Sequence, residues 1–392
     1  MIEIFSTTVL LSMSIGVAVV CIGLVIRGCI ADAKWPSHLI ALTYFFVIIS
    51  AEAAELLNQS LPDEQRSLWL QRTTLFFVPS LGACIWFYVR GLTSRNVGWA
   101  LRDLWHLVPI AICIVGALPY LSLPEQQRTI IMTAGGDLLD PTSFIAIIFM
   151  LLAWIAWITI LILYGVASMS RLIKHRRAVR DLYSKVDGVS LTWLHVLITI
   201  VVTFTVLVLI TSVYPAFSSA ELFSNKLVAL FYFCVVLVVG MFGVLQKNTM
   251  PSWSELDTGE RNGRRYARSA LQDKDLTRIA RKLDVAMQDT QLWKNPNLLL
   301  IDLANVTGVS QNNISQTLNE HLGVNFYDYV NGWRIKAACA DLRSTDRSVL
   351  TISENAGFNA KSTFNAAFKK VMGQTPRQYR IAAAEGVTPR TK

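Results

Sequence analysis

The sequence predicts an all-α protein: a polytopic seven-transmembrane-helix bundle followed by a C-terminal domain with two helix-turn-helix units. Three observations carry this. Hydrophobic residues make up 53% of the 392 and charged ones only 16%, which is more apolar than an ordinary soluble chain. The apolar residues gather into long runs before residue 245. Beyond it the composition turns polar and basic, and a pattern of short helix, glycine turn and second helix occurs twice.

The apolar runs lie near residues 5–26, 39–57, 70–89, 105–121, 144–166, 193–214 and 227–245. Their lengths suit a hydrocarbon layer about 30 Å thick, at a helical rise of about 1.5 Å per residue. The fourth is the shortest and carries Pro109 and Pro119. The first has Glu3 as its only early charge and is followed by Arg27. It therefore lacks the basic start of a cleaved signal peptide and is expected to be retained.

Lys and Arg set the expected orientation. One set of loops holds Arg27, Lys34, Arg90, Arg95, Arg102 and the basic run 171–185, whereas the other holds Arg66, Arg128 and Lys226 beside Asp63, Glu64, Asp137 and Asp140. The basic loops are expected to be cytoplasmic, which puts the N-terminus outside and everything after residue 245 inside. The outer loops are short, so any signal has to act on the helices, those loops or the lipid.

Ionisable groups inside apolar runs are costly and mark candidate sites. Glu52 and Glu55 stand one helical turn apart near the outer end of the second run, and Arg72 sits just inside the outer end of the third. The three are expected to border an outward-facing pocket between those helices, as an ion pair or a signal site. His106 and His195 fall near cytoplasmic helix ends and read as interfacial. A retinal-binding chemistry is excluded, because Lys226 lies at the edge of the last run and no lysine follows before Lys247. The cysteines lack metal-ligand spacing and read as small buried side chains. No cofactor or metal is expected, and no catalytic constellation stands out.

Composition changes abruptly after residue 245. Residues 246–264, with Pro251, Gly259 and Gly263, read as a linker. From Leu271 a helical apolar period appears through Leu276, Ile279, Leu283 and Met287. Leu300, Leu303 and Ala304 then form one face of a short helix. Gly308 supplies the turn and Ser310 caps the next helix, whose inner face is Ile314 and Leu318. Gln311, Asn312, Asn313 and Gln316 are expected outside, where amide side chains suit base edges. The pattern repeats with Ile352, Ser353, Gly357 and Phe358. Asn359 leads into a second helix with Phe364 and Phe368 inside and Lys361, Ser362, Asn365, Lys369 and Lys370 outside. A helix near 326–342 joins the two units and can hold their second helices about 34 Å apart, one turn of a DNA duplex. The net charge of +9 suits an anionic partner, nucleic acid or inner lipid surface.

These residues resemble the AraC/XylS family of bacterial transcription regulators over residues 271–380. The family's closing signature appears as Arg334, Gly357-Phe358, Phe364, Phe368-Lys369-Lys370, Gly373, Thr375-Pro376 and Tyr379-Arg380. The chain is also similar to a membrane-fused branch of that family. That branch's run before the domain is present as Tyr266, Arg268, Ser269 and Leu271, with 314–320 and 325–331 reading ISQTLNE and NFYDYVN. For the seven-helix half the likeness is one of topology alone. Two departures stand out: Ala366 where relatives often carry Arg, and Ser353 in place of a common Ala.

The resemblance implies a membrane-bound one-component transcription regulator and no enzyme. The expected division is 1–245 for the bundle, 246–270 for a cytoplasmic linker, 271–384 for the double helix-turn-helix DNA-binding domain and 385–392 for a short tail. Expected partners are double-stranded promoter DNA, membrane lipid, a signal molecule the sequence does not name, and a second copy of the chain. The rival readings are a transporter or channel with a regulatory tail, and a constitutive DNA binder tethered passively to the membrane.

Overall fold

A computed structural model describes residues 7–31, 37–59, 78–94, 101–124, 127, 140–185, 191–213, 225–244 and 271–385. The regular structure of the described residues is all helical, with turns and short connections between the helices and one isolated antiparallel bridge between Tyr183 and Leu299. The chain forms two compact units. One comprises Met1–Ile173 and Leu191–Thr249, the other Lys174–Ser190 and Met250–Lys392. Arg72 and the expected linker 246–270 lie outside the described residues.

The first unit contains α1 (Thr7–Ala31), α2 (Ser37–Gln59), α3 (Leu81–Thr93), α4 (Val108–Leu121), α5 (Pro141–Leu182) as far as Ile173, α6 (Thr192–Val213) and α7 (Asn225–Val239); the end of α5 from Lys174 belongs to the second unit. Five described helical stretches, 7–30, 38–58, 101–121, 141–182 and 226–244, are long and apolar enough to cross a membrane. A shorter apolar stretch, Trp193–Val206, falls in α6. The third expected run, 70–89, is described only from residue 78, so its length as a span is not defined.

Long unbroken apolar sequence forms these helices, but it does not point inward. Val19, Val20, Leu24 and Ile30 on α1 are exposed, as are Leu152, Ile155, Leu163 and Val166 on α5. Water would penalise such a surface by roughly 25 cal/mol per Å²; hydrocarbon would not. Hydroxyls inside the helices are returned to their own backbone. Ser14 donates to the Leu10 carbonyl, Thr43 to Leu39 and Ser50 to Phe46, so these three hydroxyl hydrogens need no solvent partner. The inner faces of α1, α2, α3, α6 and α7 meet around Cys21, Phe46, Ile48, Val89, Ile198 and Val236. None of the six cysteines is in a disulfide, and Cys234 alone among them is exposed.

The second unit contains α8 (Asp273–Thr290), α9 (Leu300–Thr307), α10 (Gln311–Gln316, prolonged by a π-helical turn Thr317–His321), α11 (Phe326–Ser344), α12 (Val349–Asn355), α13 (Lys361–Met372) and α14 (Pro376–Ala384). Two cores are strung along α11. Its first half puts Phe326, Tyr329 and Val330 among Leu283, Leu303, Ile314 and Leu318. Its second half puts Ile335, Ala338 and Leu342 among Ile352, Phe364, Phe368 and Tyr379. The second core is an aromatic chain in edge-to-face contact. Ring centres are 5.2 Å apart for Phe358–Phe364, 5.6 Å for Phe364–Phe368 and 5.5 Å for Phe368–Tyr379, a geometry that adds to simple burial.

Candidate nucleic-acid interface

The first candidate reader is the α9–α10 pair. Leu303 and Ala304 bury one face of α9 against Ile314 and Leu318. Gly308 closes α9 in the left-handed region, at φ 66°, with its N–H on the Ala304 carbonyl at 2.9 Å. Ser310 then caps α10 by accepting the Asn313 N–H at 3.3 Å. Around this turn Gln311, Asn312 and Asn313 are partly exposed and Ser310 is fully so.

Gln316 departs from the expected outer face. It is 5% exposed, and its Nε2 donates to Glu320 Oε2 at 2.8 Å. Burial runs without a break from Ile314 to Leu318, wider than the single stripe that a helical period assigns to the core. The exposed residues that follow are Asn319 and Glu320. Asn319 donates to the buried Ser315 hydroxyl at 3.3 Å. Gln316 therefore serves the helix itself and leaves the set of base-reading candidates.

The second pair is α12–α13. Ser348 caps α12 by accepting the Thr351 N–H at 3.1 Å. Ser353, where an alanine is more usual, is buried with its hydroxyl on the Leu350 carbonyl at 2.7 Å, so its polarity is satisfied locally. Gly357 sits at φ 81°, and a Cβ there would lie 2.6 Å from the Trp293 carbonyl oxygen and 2.8 Å from that of Lys294. No other residue fits this turn without displacing backbone. Beyond it Asn359, Lys361, Ser362, Asn365, Ala366 and Lys369 are all exposed. Lys370 is exposed as well, but its Nζ lies 2.7 Å from Asp328 Oδ1 on α11. Ala366 leaves an uncharged gap in this otherwise polar and basic face.

Arg334, the first residue of the closing signature, is not on that face. It is 2% exposed and holds backbone together. Its Nε donates to the Trp293 carbonyl at 2.8 Å, and its Nη2 to the Asn295 carbonyl at 2.7 Å. Nη1 and Nη2 reach the Ser184 carbonyl and hydroxyl, both at 3.3 Å. The guanidinium also lies over the Phe358 ring, 5.5 Å from its centre. Burial lowers its pKa to about 10, so it stays charged at neutral pH, facing carbonyl dipoles.

Ser184 belongs to a segment the sequence presents only as part of a basic loop. In the second unit Val179 and Leu182, from the end of α5, join the first core beside Leu283, Leu298 and Leu300. Tyr183 bridges to Leu299, Ser184 N–H donates to the Leu298 carbonyl at 3.1 Å, and Arg180 lies over the Tyr327 ring at 5.7 Å. The sequence signal was small: Ala178, Val179, Leu182 and Tyr183 form a short apolar stripe at helical spacing within a run of arginines.

Of the expected signal residues, Glu55 is buried, Glu52 is partly buried, and Arg72 lies outside the described residues. Glu52 lines a cavity of about 110 Å³ that includes Leu81 at the start of α3 and draws further on α5, α6 and α7. A second cavity, of about 580 Å³, lies where α2, α3, α4 and the 3-10 turn Leu101–Leu107 meet, and includes Tyr44, Ser80, Asp103 and His106. His106 is hydrogen-bonded to Tyr164. Within the described residues no group of acidic, His and Cys side chains could hold a metal ion.

Comparison with known proteins agrees with the geometry of the second unit. Residues 303–382 match the family model of a helix-turn-helix domain. An uncharacterized HTH-type transcriptional regulator of Staphylococcus aureus strain COL is 36% identical over 90 residues, which are 23% of this chain and 12% of that protein. The counterpart in Staphylococcus aureus strain MRSA252 shows the same identity and coverage. A putative AraC-like transcription regulator of Streptomyces lividans is 30% identical over 98 residues, 24% of this chain and 32% of that protein. The match thus spans about an eighth of the staphylococcal relatives and about a third of the streptomycete one. No solved structure matches the chain. The C-terminal part of the chain carries an AraC-type helix-turn-helix domain.

Proposed function

We propose that the protein is a membrane-bound one-component transcription regulator that binds specific DNA through two helix-turn-helix units and responds to a signal received by its helical bundle. The observation that carries the reading is the arrangement of α9–α10 and α12–α13 on one shared helix. Each pair buries its apolar side in its own core, and its second helix leaves amide, hydroxyl or lysine side chains uncovered. The 19 residues of α11 span about 28 Å at the usual rise, a length suited to two half-sites about one duplex turn apart. Asn312 and Asn313 are the favoured base readers of the first unit, with Asn365 in the second. Lys361 and Lys369 are suited to phosphates, which fix register without reading sequence.

The outward apolar surfaces of α1 and α5 support a bilayer around the first unit, and the uneven distribution of Lys and Arg supports a cytoplasmic second unit. The contact of Val179–Ser184 with the first core supports a route for the signal. α5 runs unbroken from Pro141 to Leu182, and a shift of its end would act on Arg334 and, through it, on both reading units. A ligand moves such an equilibrium only by its unequal affinity for the two states.

The test is to map the DNA bound by the intact protein in cells. The expected result is discrete sites with a two-part motif, the parts centred about 10.5 base pairs apart. Uniform recovery of DNA with no shared motif would remove the specific-regulator reading.

A further inference from the structure

A carboxyl group and several aromatic rings share the cavity at Glu52. Phe45 and Glu52 line it from α2, Trp157 from α5, Phe204 from α6, and Phe231 and Tyr232 from α7. Its volume is about 110 Å³. An apolar cavity of about 150 Å³ accepts a benzene-sized molecule, so this one suits a ligand of roughly five heavy atoms.

The polar groups of the cavity are incompletely used. Tyr232 donates its hydroxyl hydrogen to the Glu52 carboxylate. Glu52 Oε1 and the Trp157 indole nitrogen are buried and have no hydrogen-bond partner among the described residues. Unpaired buried polar atoms are uncommon in folded proteins and mark places where a further group belongs. Around them Phe204 stacks on Phe231 and meets Tyr232 edge-on, with ring centres 6.5 Å apart.

This chemistry selects among ligands. An anion would be repelled by the carboxylate. A neutral hydrocarbon would fill the volume but leave Glu52 Oε1 unpaired. A small organic cation pairs with Glu52 Oε1 by charge, holding the carboxyl group in its ionised form, and with the ring faces, which carry partial negative charge; Trp157 contributes its ring face and not its N–H. A hydrated metal ion gains nothing from the rings, whereas alkyl groups on nitrogen pack against them.

We propose that the cavity between α2, α3, α5, α6 and α7 binds a small alkylammonium ion, with its charge against Glu52 and its alkyl groups against Trp157, Phe204 and Phe231. The proposal rests on the reading that the bundle receives a signal. Glu52 lies about two helical turns before the C-terminal end of α2, the end that the distribution of Lys and Arg assigns to the outside.

The test uses the purified full-length protein in detergent and tetramethylammonium chloride as the probe. Sodium chloride at equal ionic strength is the salt control and tert-butanol the neutral control of similar size. The expected result is a saturable rise in the thermal unfolding midpoint with tetramethylammonium and none with either control. Glu52→Gln, which preserves size and removes the charge, is expected to weaken the apparent affinity at least tenfold. Trp157→Phe, which keeps an aromatic filler, is expected to weaken it severalfold, and it carries the test if Glu52→Gln does not fold. Equal responses to the cation and the alcohol, or equal affinities in the wild type and the folded variants, overturn the proposal, as does the lack of any saturable response. Transcription from a mapped target, measured in cells given the same salt, separates the two readings. Saturable, charge-dependent binding with unchanged transcription leaves the site standing and refutes sensing through it.

Discussion

Arg334 donates to both the carbonyl and the hydroxyl of Ser184, two residues 150 positions apart in sequence, each at 3.3 Å. The arginine of the AraC-type signature is therefore a buried tie, and one end of it is held by the segment that follows α5.

This tie is expected to be unequal in its parts. Ser184→Ala removes one side-chain hydrogen bond and should cost about 0.5–1.5 kcal/mol. Arg334→Ala leaves the Trp293 carbonyl without its guanidinium donor and the Asn295 carbonyl with the Leu298 N–H alone, and should cost about 3 kcal/mol or more. Hydrogen exchange of the full-length protein is the measurement. Faster exchange around Leu298–Leu300 in both variants, graded in that order, is expected. Unchanged exchange in Arg334→Ala would mean that the tie adds nothing to the fold.

Sequence reading is expected to divide α10 sharply. Asn313→Ala should cost about 1–3 kcal/mol at a specific site and relax base preference. Gln316→Ala should leave base preference intact and lower stability slightly, since its partner is Glu320. Binding measured to a mapped site and to single-base variants tests both. A relaxed preference in Gln316→Ala would contradict its buried position.

The lysines are expected to act on affinity without selecting sequence. Lys361→Gln or Lys369→Gln should weaken binding to every DNA tested and reduce the slope of log affinity against log salt by about 0.9 for each phosphate no longer neutralised. Lys370→Gln should do less, because Asp328 already holds that ammonium. The salt series is the deciding experiment, and a larger fall in slope for Lys370 than for Lys369 would reverse the assignment.

The aromatic chain of the second core is expected to tolerate little. Phe364→Ala or Phe368→Ala should cost about 3–5 kcal/mol through the cavity left behind. Gly357→Ala should be comparably damaging despite its size, since its Cβ would meet two carbonyl oxygens under 3 Å away. Protease resistance of residues 335–384 in membranes would report all three. Full resistance in Gly357→Ala would require the turn to open at no cost.

Orientation is expected to follow the positive charges. A reporter fused after Lys392 should be active if it requires the cytoplasm and silent if it requires export. The reverse pattern would separate the DNA-binding domain from chromosomal DNA.

Much of the second unit is legible in the sequence because its signals are local. Gly308, Ser310 and Thr375 punctuate helices by their own chemistry, and Phe364 and Phe368 repeat at helical spacing. Gln316 is misplaced by periodicity because burial runs on from Ile314 through Leu318, and composition does not mark where a helix is covered beyond one stripe. Val179 and Leu182 are hidden for another reason. Their stripe is short, the surrounding arginines dominate any count of charge, and their partners lie more than 90 residues further on. In the first unit the apolar runs announce helices plainly, while the pairing of helices is not legible. Glu52 is expected beside the third run, and Leu81 of that run lines its cavity; the residues of α5, α6 and α7 that share the cavity are not legible, because apolar faces of similar composition give no clue to which neighbour they meet.

The membership of Val179–Ser184 in the first core has a practical edge. A gene cut anywhere in 246–270 would yield a regulator fragment missing several of its own interior side chains, with Leu298 and Leu300 partly bared and Arg334 short of two acceptors. Swapping this DNA reader onto another sensor would mean transplanting two stretches of sequence together, so the two halves of the gene are not free to shuffle.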